Sequence, residues 1–317
     1  MKNRRFLRLG LVAASTVAVA LATTLMPVVA AEDQTGDGKT LAIITPDYAS
    51  QPAVKEAIDL FTTEAEARGY KVKLTDTNSD NAAISGEITT AVAQQVDAIV
   101  TAFGTPQEFG EGLANAEAAG MPVFGLDTGG LVAPTLANVT TDARFLGETS
   151  AQAIIDAIGG PGKVAMIHFD PFEPVRLRAE AARALFEAND IEIIEYIQGD
   201  PADPTGFARA TALDLLVKYP EGELNAIWAG WDATALGVFQ ATQETDRADV
   251  LVTGVDGVSA AQAEVAKDLN FIATVRQDWP AIATTLADII DAHFAGEDPV
   301  EPIVFVPGVL ITAENAQ

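Results

Sequence analysis

The 317-residue sequence predicts an α/β protein in two lobes, each a parallel sheet flanked by helices. Short apolar runs alternate with longer stretches whose apolar residues recur near every 3.6 positions, the pattern of parallel strands covered by helices. Once an N-terminal leader is set aside, about 286 residues remain, large for one core and natural for two. Two matched phrases also stand one in each half: Gly125-Leu126-Asp127-Thr128-Gly129 and Gly254-Val255-Asp256-Gly257-Val258. Each follows an apolar run, and an aspartate at the carboxyl end of a parallel strand is where open α/β sheets bind ligands.

The leader is residues 1–31. Lys2, Arg4, Arg5 and Arg8 form a positive start, an apolar stretch follows, and Val28-Val29-Ala30-Ala31 offers small residues for cleavage near Ala30 or Ala31. This is the pattern of a secretory signal peptide, which implies a periplasmic protein. The apolar stretch is also long enough for a retained anchor; Ala30-Ala31 followed by Glu32 and Asp33 favours cleavage. Residues 32–39 are polar and contain glycine, so they read as a flexible linker. The chain has no cysteine, which excludes a lipidated N-terminal Cys, disulfides, thiolate nucleophiles and Cys-ligated metals. The net charge of -26 becomes about -30 when the four basic residues of the leader are lost. Such a surface repels nucleic acid and anionic lipid.

Along the first half, strands are predicted at 41–45, 72–74, 96–100 and 123–126, with helices at 54–68, 82–94 and 106–119. The 54–68 helix carries Val54, Ala57, Ile58, Phe61 and Ala65 on one face and stops at Gly69. The second half repeats the rhythm: strands at 164–169, 191–197, 226–228 and 250–255, helices at 174–189, 204–218, 233–244 and 260–268. Strands at 133–141 and 271–277 fall between the two series and are candidate crossings between lobes. A helix at 280–294 and a strand at 303–306 close the chain.

These residues resemble the ribose-type periplasmic solute-binding proteins that serve sugar ABC transporters. The resemblance spans residues 40–312. It rests on the order of elements, on Met121-Pro122-Val123-Phe124-Gly125-Leu126-Asp127, and on the stretch from Asn138 to Asp142. It rests also on Arg176-Leu177-Arg178, Trp231-Asp232-Ala233-Thr234-Ala235-Leu236-Gly237, Gly254-Val255-Asp256-Gly257 and Ala273-Thr274-Val275-Arg276-Gln277. Each phrase is weak alone; their order and spacing together are specific. The resemblance implies the type I periplasmic binding protein fold: two Rossmann-like lobes joined by a three-segment hinge near Thr141, residues 276–278 and Pro302. The first lobe is then 40–141 plus 278–302, and the second 142–277 plus 303–317. The ligand would lie between them, buried by closure.

The expected ligand contacts follow. Asp127 and Asp256 would accept hydrogen bonds from adjacent hydroxyls; a helix-capping role is the competing reading of Asp256. Arg178 matches the family's arginine, and its rigid fork of donors suits hydroxyls and ring oxygens. Trp231 stands where the family often has a polar residue, and would offer an apolar face and one N–H. Gln277 falls on the 276–278 crossing and can both donate and accept. Asp142, on the first, serves equally as an N-cap. Tyr48 and Gln51 lie between the first strand and helix, where Ala53 and Val54 replace the family's aromatic pair. Trp231, Phe103 or Phe172 are candidates to supply the missing wall.

Several motifs point to chemistry that their context does not support. Asp76 to Glu87 imitates a calcium loop, but Asn81 holds its glycine position and a strand precedes it. Gly159-Gly160-Pro161-Gly162-Lys163 precedes a strand, so it does not open a helix onto phosphate. His168 and His293 have no nucleophile or acid in a recognisable arrangement, and no glycine fingerprint for a dinucleotide follows a strand. The expectation is therefore a non-enzymatic, monomeric receptor without metal or cofactor. It binds a monosaccharide or sugar alcohol and docks on an ABC permease. The alternative is a periplasmic sensory receptor for a sugar or furanosyl quorum signal, reporting to a sensor kinase or chemoreceptor.

Overall fold

The apolar run at Thr40–Thr45 becomes strand β1 in the computed structural model, which describes residues 35–297, 299 and 301–316. The predicted leader and residues 32–34 lie outside the described residues. The rest of the predicted linker is not loose. It forms a turn in which Gly36 N–H donates to the Arg68 carbonyl (3.2 Å) and Lys39 N–H to the Gly36 carbonyl (2.9 Å).

After β1 come α1 (Pro52–Ala67), β2 (Lys71–Asp76), α2 (Asn81–Ala93), β3 (Ala98–Ala102), α3 (Gly110–Ala118), β4 (Val123–Leu126) and β5 (Thr135–Thr140). The chain then builds α4 (Ala143–Ile158), β6 (Gly162–His168), α5 (Glu173–Ala188), β7 (Ile191–Gln198), α6 (Pro204–Lys218) and β8 (Ala226–Ala229). It continues through α7 (Asp232–Glu244), β9 (Leu251–Asp256), α8 (Ser259–Val265), β10 (Phe271–Arg276), α9 (Trp279–Phe294), β11 (Ile303–Phe305) and β12 (Val309–Ile311). The helix predicted to start at 106 begins later, because Pro106–Glu108 makes a single 3-10 turn first.

The strands form two six-stranded sheets, ordered β11-β5-β4-β3-β1-β2 and β12-β10-β9-β8-β6-β7. Pairing is parallel throughout except for β12, which runs antiparallel to β10. Central strands β3, β4 and β8 are buried along their whole length, while edge strand β2 is largely exposed or half-buried. Helices cover both faces. In the first lobe α1 packs with α9 and α2 with α3; in the second α4 packs with α5 and α6 with α7. Phe61, Phe124 and Ile282 fill one face of the first sheet, and Ile84, Ile88 and Phe109 the other. Trp228 fills the α4–α5 side of the second sheet, where its indole N–H donates to Ser150 Oγ (2.8 Å).

The strands at 133–141 and 271–277, read as candidate crossings, each have a place in a sheet: β5 beside β4, and β10 beside β9. The crossings follow them, at 141–142 and 277–278. The third differs from the prediction. Ile303 to Phe305 pair with β5 in the first sheet, and Val306 N–H still donates to the Thr140 carbonyl (2.8 Å). The chain therefore crosses at Pro307 and Gly308 rather than at Pro302. Proline lacks the N–H needed to continue the ladder, and residues 303–306 belong with the first lobe.

Candidate functional site

The carboxyl ends of the two sheets face each other across a partly open cavity of about 170 Å³. The first lobe lines it with the loop after β1 (Pro46, Asp47), the start of α1 (Gln51, Ala53, Val54), Ser79 before α2, Asn81 at its first position, Phe103 after β3, and Asp127 after β4. The second lobe brings Phe169 and Phe172 after β6, Val175 and Arg178 on α5, Pro201, Trp231 at the head of α7, and Asp256 at the end of β9. Two hydrogen bonds close the cleft over it. Gln51 Nε2 donates to the Pro201 carbonyl (2.6 Å), and Thr105 Oγ1 to the Pro171 carbonyl (3.2 Å).

Four non-glycine residues around the cavity have positive φ: Ser79 at 67°, Phe103 at 58°, Asp127 at 50° and Asp256 at 115°. Side chains rarely accept such backbone, and it persists where the surroundings over-determine it. Asp127 shows how. Its Oδ1 accepts from Thr140 Oγ1, and its loop is clamped by Asn138, which accepts from Thr128 N–H (3.2 Å) and donates to the Thr128 carbonyl (3.0 Å). Its Oδ2 is buried without a hydrogen-bond partner among the described residues.

Asp256 is no helix cap. Its Oδ1 accepts from Arg178 Nη1 (3.1 Å) and Gln277 Nε2 (3.3 Å), and α8 begins three residues later. Arg178 Nη1 also donates to the Gly230 carbonyl (3.1 Å), leaving Nε unpartnered. Burial pushes the Asp256 carboxyl up to about 6; Arg178 opposes this, and the Asp127 charge adds to it. Burial raises Asp127 as well, against the pull of Arg178, the Thr140 hydroxyl and the nearby Gln277 amide.

The structure gathers Asp127, Asp256, Arg178, Trp231, Gln51, Phe103 and Phe172 around one cavity. Gln277 is fully buried behind it, holding Asp256 with its Oε1 left unpaired. Two expected contacts are not there. The Asp142 carboxylate is exposed and accepts from Arg144 N–H (2.9 Å), capping α4, because the first crossing turns straight into that helix. The Tyr48 hydroxyl donates to Asp59 Oδ1 (2.7 Å) and takes a bond from Lys55 Nζ (2.9 Å), which draws the ring onto the flank of α1.

Sequence reasoning overlooked Asp47, Ser79, Asn81, Phe169 and Asp232. Asp232 is wholly buried beneath Asp256. Its Oδ1 accepts from Thr274 Oγ1 (2.6 Å) and its Oδ2 from Val258 N–H (2.8 Å), tying α7, β10 and the start of α8 together. A Cβ at Gly254 would come within 2.3 Å of Asp232 Oδ1, so glycine there makes room for the carboxylate. Burial and then the Asp256 charge push the Asp232 carboxyl far above the usual range. Its signal in the sequence was its place directly after Trp231, at the first turn of a helix. The calcium-like loop resolves as a cap: Asp80 Oδ1 accepts from Ala83 N–H (3.1 Å). His168 stacks on Tyr196 with ring centroids 3.7 Å apart and meets Asp170 at 2.9 Å, outside the cavity.

Residues 41–298 match the periplasmic binding protein domain. The chain belongs to that family. Among relatives of this periplasmic binding protein, the xylitol-binding protein of Mycolicibacterium smegmatis is 24% identical over 88% of this chain and 78% of its own. The ribose import binding protein of Bacillus subtilis is 28% identical over 72% and 73%. A solved ABC sugar transporter subunit from Rhodobacter sphaeroides is 28% identical, covers 88% of this chain and 99% of its own, and superposes with a TM-score of 0.81.

Proposed function

We propose that this periplasmic binding protein is the solute receptor of an ABC importer, enclosing one monosaccharide or sugar alcohol between its lobes. The carrying observation is the set of unpartnered polar atoms around the cavity. Asn81 Oδ1 and Asp127 Oδ2 come from the first lobe, Arg178 Nε and Trp231 Nε1 from the second. Each buried polar group without a partner costs about 1–3 kcal/mol. A ligand whose hydroxyls both donate and accept recovers that cost from both lobes at once, and so favours closure. Phe103, Phe172 and Trp231 supply flat apolar faces for its C–H surface. The kinship with xylitol- and ribose-binding proteins supports this class of ligand.

Both walls come from one chain, so the receptor acts as a monomer. It reaches the permease after export and cleavage near Ala30 or Ala31. Binding requires no covalent step. Discrimination comes from hydrogen-bonding groups that a wrong hydroxyl pattern leaves unpaired. A thermal-shift panel of pentoses, hexoses and alditols tests the reading. A ligand at 100 times its Kd adds about 2.7 kcal/mol, at roughly 2–4 °C per kcal/mol. No shift with any sugar or alditol refutes it.

A further inference from the structure

The charges lining the cavity do not balance. Among the described residues, Asp47, Asp127 and Asp256 face it against one basic side chain, Arg178, whose ion pair is with Asp256. Asp232 adds a further buried carboxyl beneath Asp256. Asp47 has only hydroxyl partners, Ser79 Oγ at 2.7 Å and Ser50 Oγ at 3.3 Å. Asp127 is 1% exposed, and its unpartnered Oδ2 belongs to a cavity-lining side chain. Next to these acids lie Phe103, Phe169, Phe172 and Trp231, whose ring faces attract cations.

We propose that the solute of this cleft carries a protonated amine, making it an amino sugar or an amino-substituted alditol. The inference rests on the polyol reading above and narrows it. An ammonium brings three donors and no acceptor, which fits a cavity whose unpartnered atoms include Asn81 Oδ1 and Asp127 Oδ2. Its charge offsets a carboxylate that is not ion-paired with Arg178. The hydroxyls of the same molecule serve Arg178 Nε and Trp231 Nε1. Burial raises Asp47, Asp127 and Asp256 alike, a desolvation effect that a bound cation would oppose.

Titration calorimetry of the purified protein at pH 7.5 with matched pairs tests this. The pairs are D-glucosamine with D-glucose, glucamine with D-glucitol, and 1-amino-1-deoxyribitol with ribitol. In at least one pair the amine binds about tenfold or more tighter than its parent, equivalent to about 1.4 kcal/mol. Asp47→Asn narrows that ratio, whereas Asp59→Asn, a surface acid outside the cavity, leaves it unchanged; circular dichroism checks that both fold. If parents bind as tightly as amines in every pair, the amine inference is overturned and the polyol reading stands. Binding by no member of any pair overturns both. An amine preference untouched by Asp47→Asn and by Asp127→Asn also overturns the charge argument.

Discussion

Asp127 and Asp256 hold comparable places at two strand ends but different partners, and substituting them separates the consequences. Asp127→Ala removes an acceptor whose Oδ2 is free for ligand. A hydrogen bond to a charged group contributes about 1.5–3 kcal/mol, so affinity falls roughly ten- to hundredfold. The empty protein stays folded, since Thr140 can turn its hydroxyl elsewhere. Asp256→Ala leaves the Arg178 guanidinium buried without its carboxylate, so it lowers stability as well as affinity. Calorimetry with a ligand found by the panel, together with melting of the empty protein, distinguishes the two outcomes.

The same residue sets a pH dependence. The carboxyl of Asp256 is raised from 3.8 to about 6 in the folded protein, by burial first and by Asp127 next, against Arg178 and Gln277. The folded state therefore binds more protons than the unfolded chain between those values. Stability from this group is complete below about pH 4 and is lost as pH rises through about 6. Buried Asp232 and Asp127 act in the same direction, whereas His168, lowered by burial, acts oppositely below its ordinary value. Subtracting the melting profile of Asp256→Asn from that of the wild type removes the His168 contribution. Between pH 5 and 7 the difference should decline with rising pH; a flat difference would contradict the assignment.

At the scale of elements, helix-to-helix approach positions Arg178. A Cβ at Gly147 of α4 would lie 2.1 Å from the Arg178 carbonyl oxygen on α5. That neighbour is backbone and gives way only if the helices part. Gly147→Ala should cost about 1–3 kcal/mol and weaken ligand binding by shifting the guanidinium. Gly86→Ala in α2, where an added Cβ meets nothing within 4 Å, should instead stabilise by about 0.5–1 kcal/mol. Thermal melts of both variants, with ligand titrations, make the comparison. Helices α6 and α9 were legible because Pro204 and Pro280 mark their starts and periodic apolar residues follow. Strand β12 was not, since its three residues are largely exposed or half-buried and its pairing comes from a distant strand. Trp231 and Asp256 were legible as parts of ordered phrases. Asp47 and Asn81 were not, because acid and amide residues beside strand ends look like ordinary turn formers until tertiary packing aims them into a cavity.

The whole molecule works through the equilibrium between open and closed lobes. Three crossings connect the lobes, at 141–142, 277–278 and 307–308, so closure is a hinge motion with few covalent constraints. Gln51 is the residue whose role closure changes most. The sequence placed it among ligand contacts, yet its amide donates across the cleft to the Pro201 carbonyl, and Thr105 does the same to Pro171. Neither bond exists once the lobes part. Each therefore biases the equilibrium toward the closed form by the net worth of one hydrogen bond, about 0.5–1.5 kcal/mol. Because apparent affinity scales with the fraction of competent closed protein, Gln51→Ala should weaken every ligand by a similar factor, roughly two- to tenfold. Thr105→Ala should do likewise, and the double variant should multiply the two losses. The loss should appear chiefly as faster ligand release in stopped-flow experiments, since both bonds must break before the lobes part and free the ligand. Small-angle scattering of the empty variant should report a larger radius of gyration than the wild type, with the difference vanishing at saturating ligand. A loss that varies strongly between ligands would place Gln51 in direct contact with solute instead.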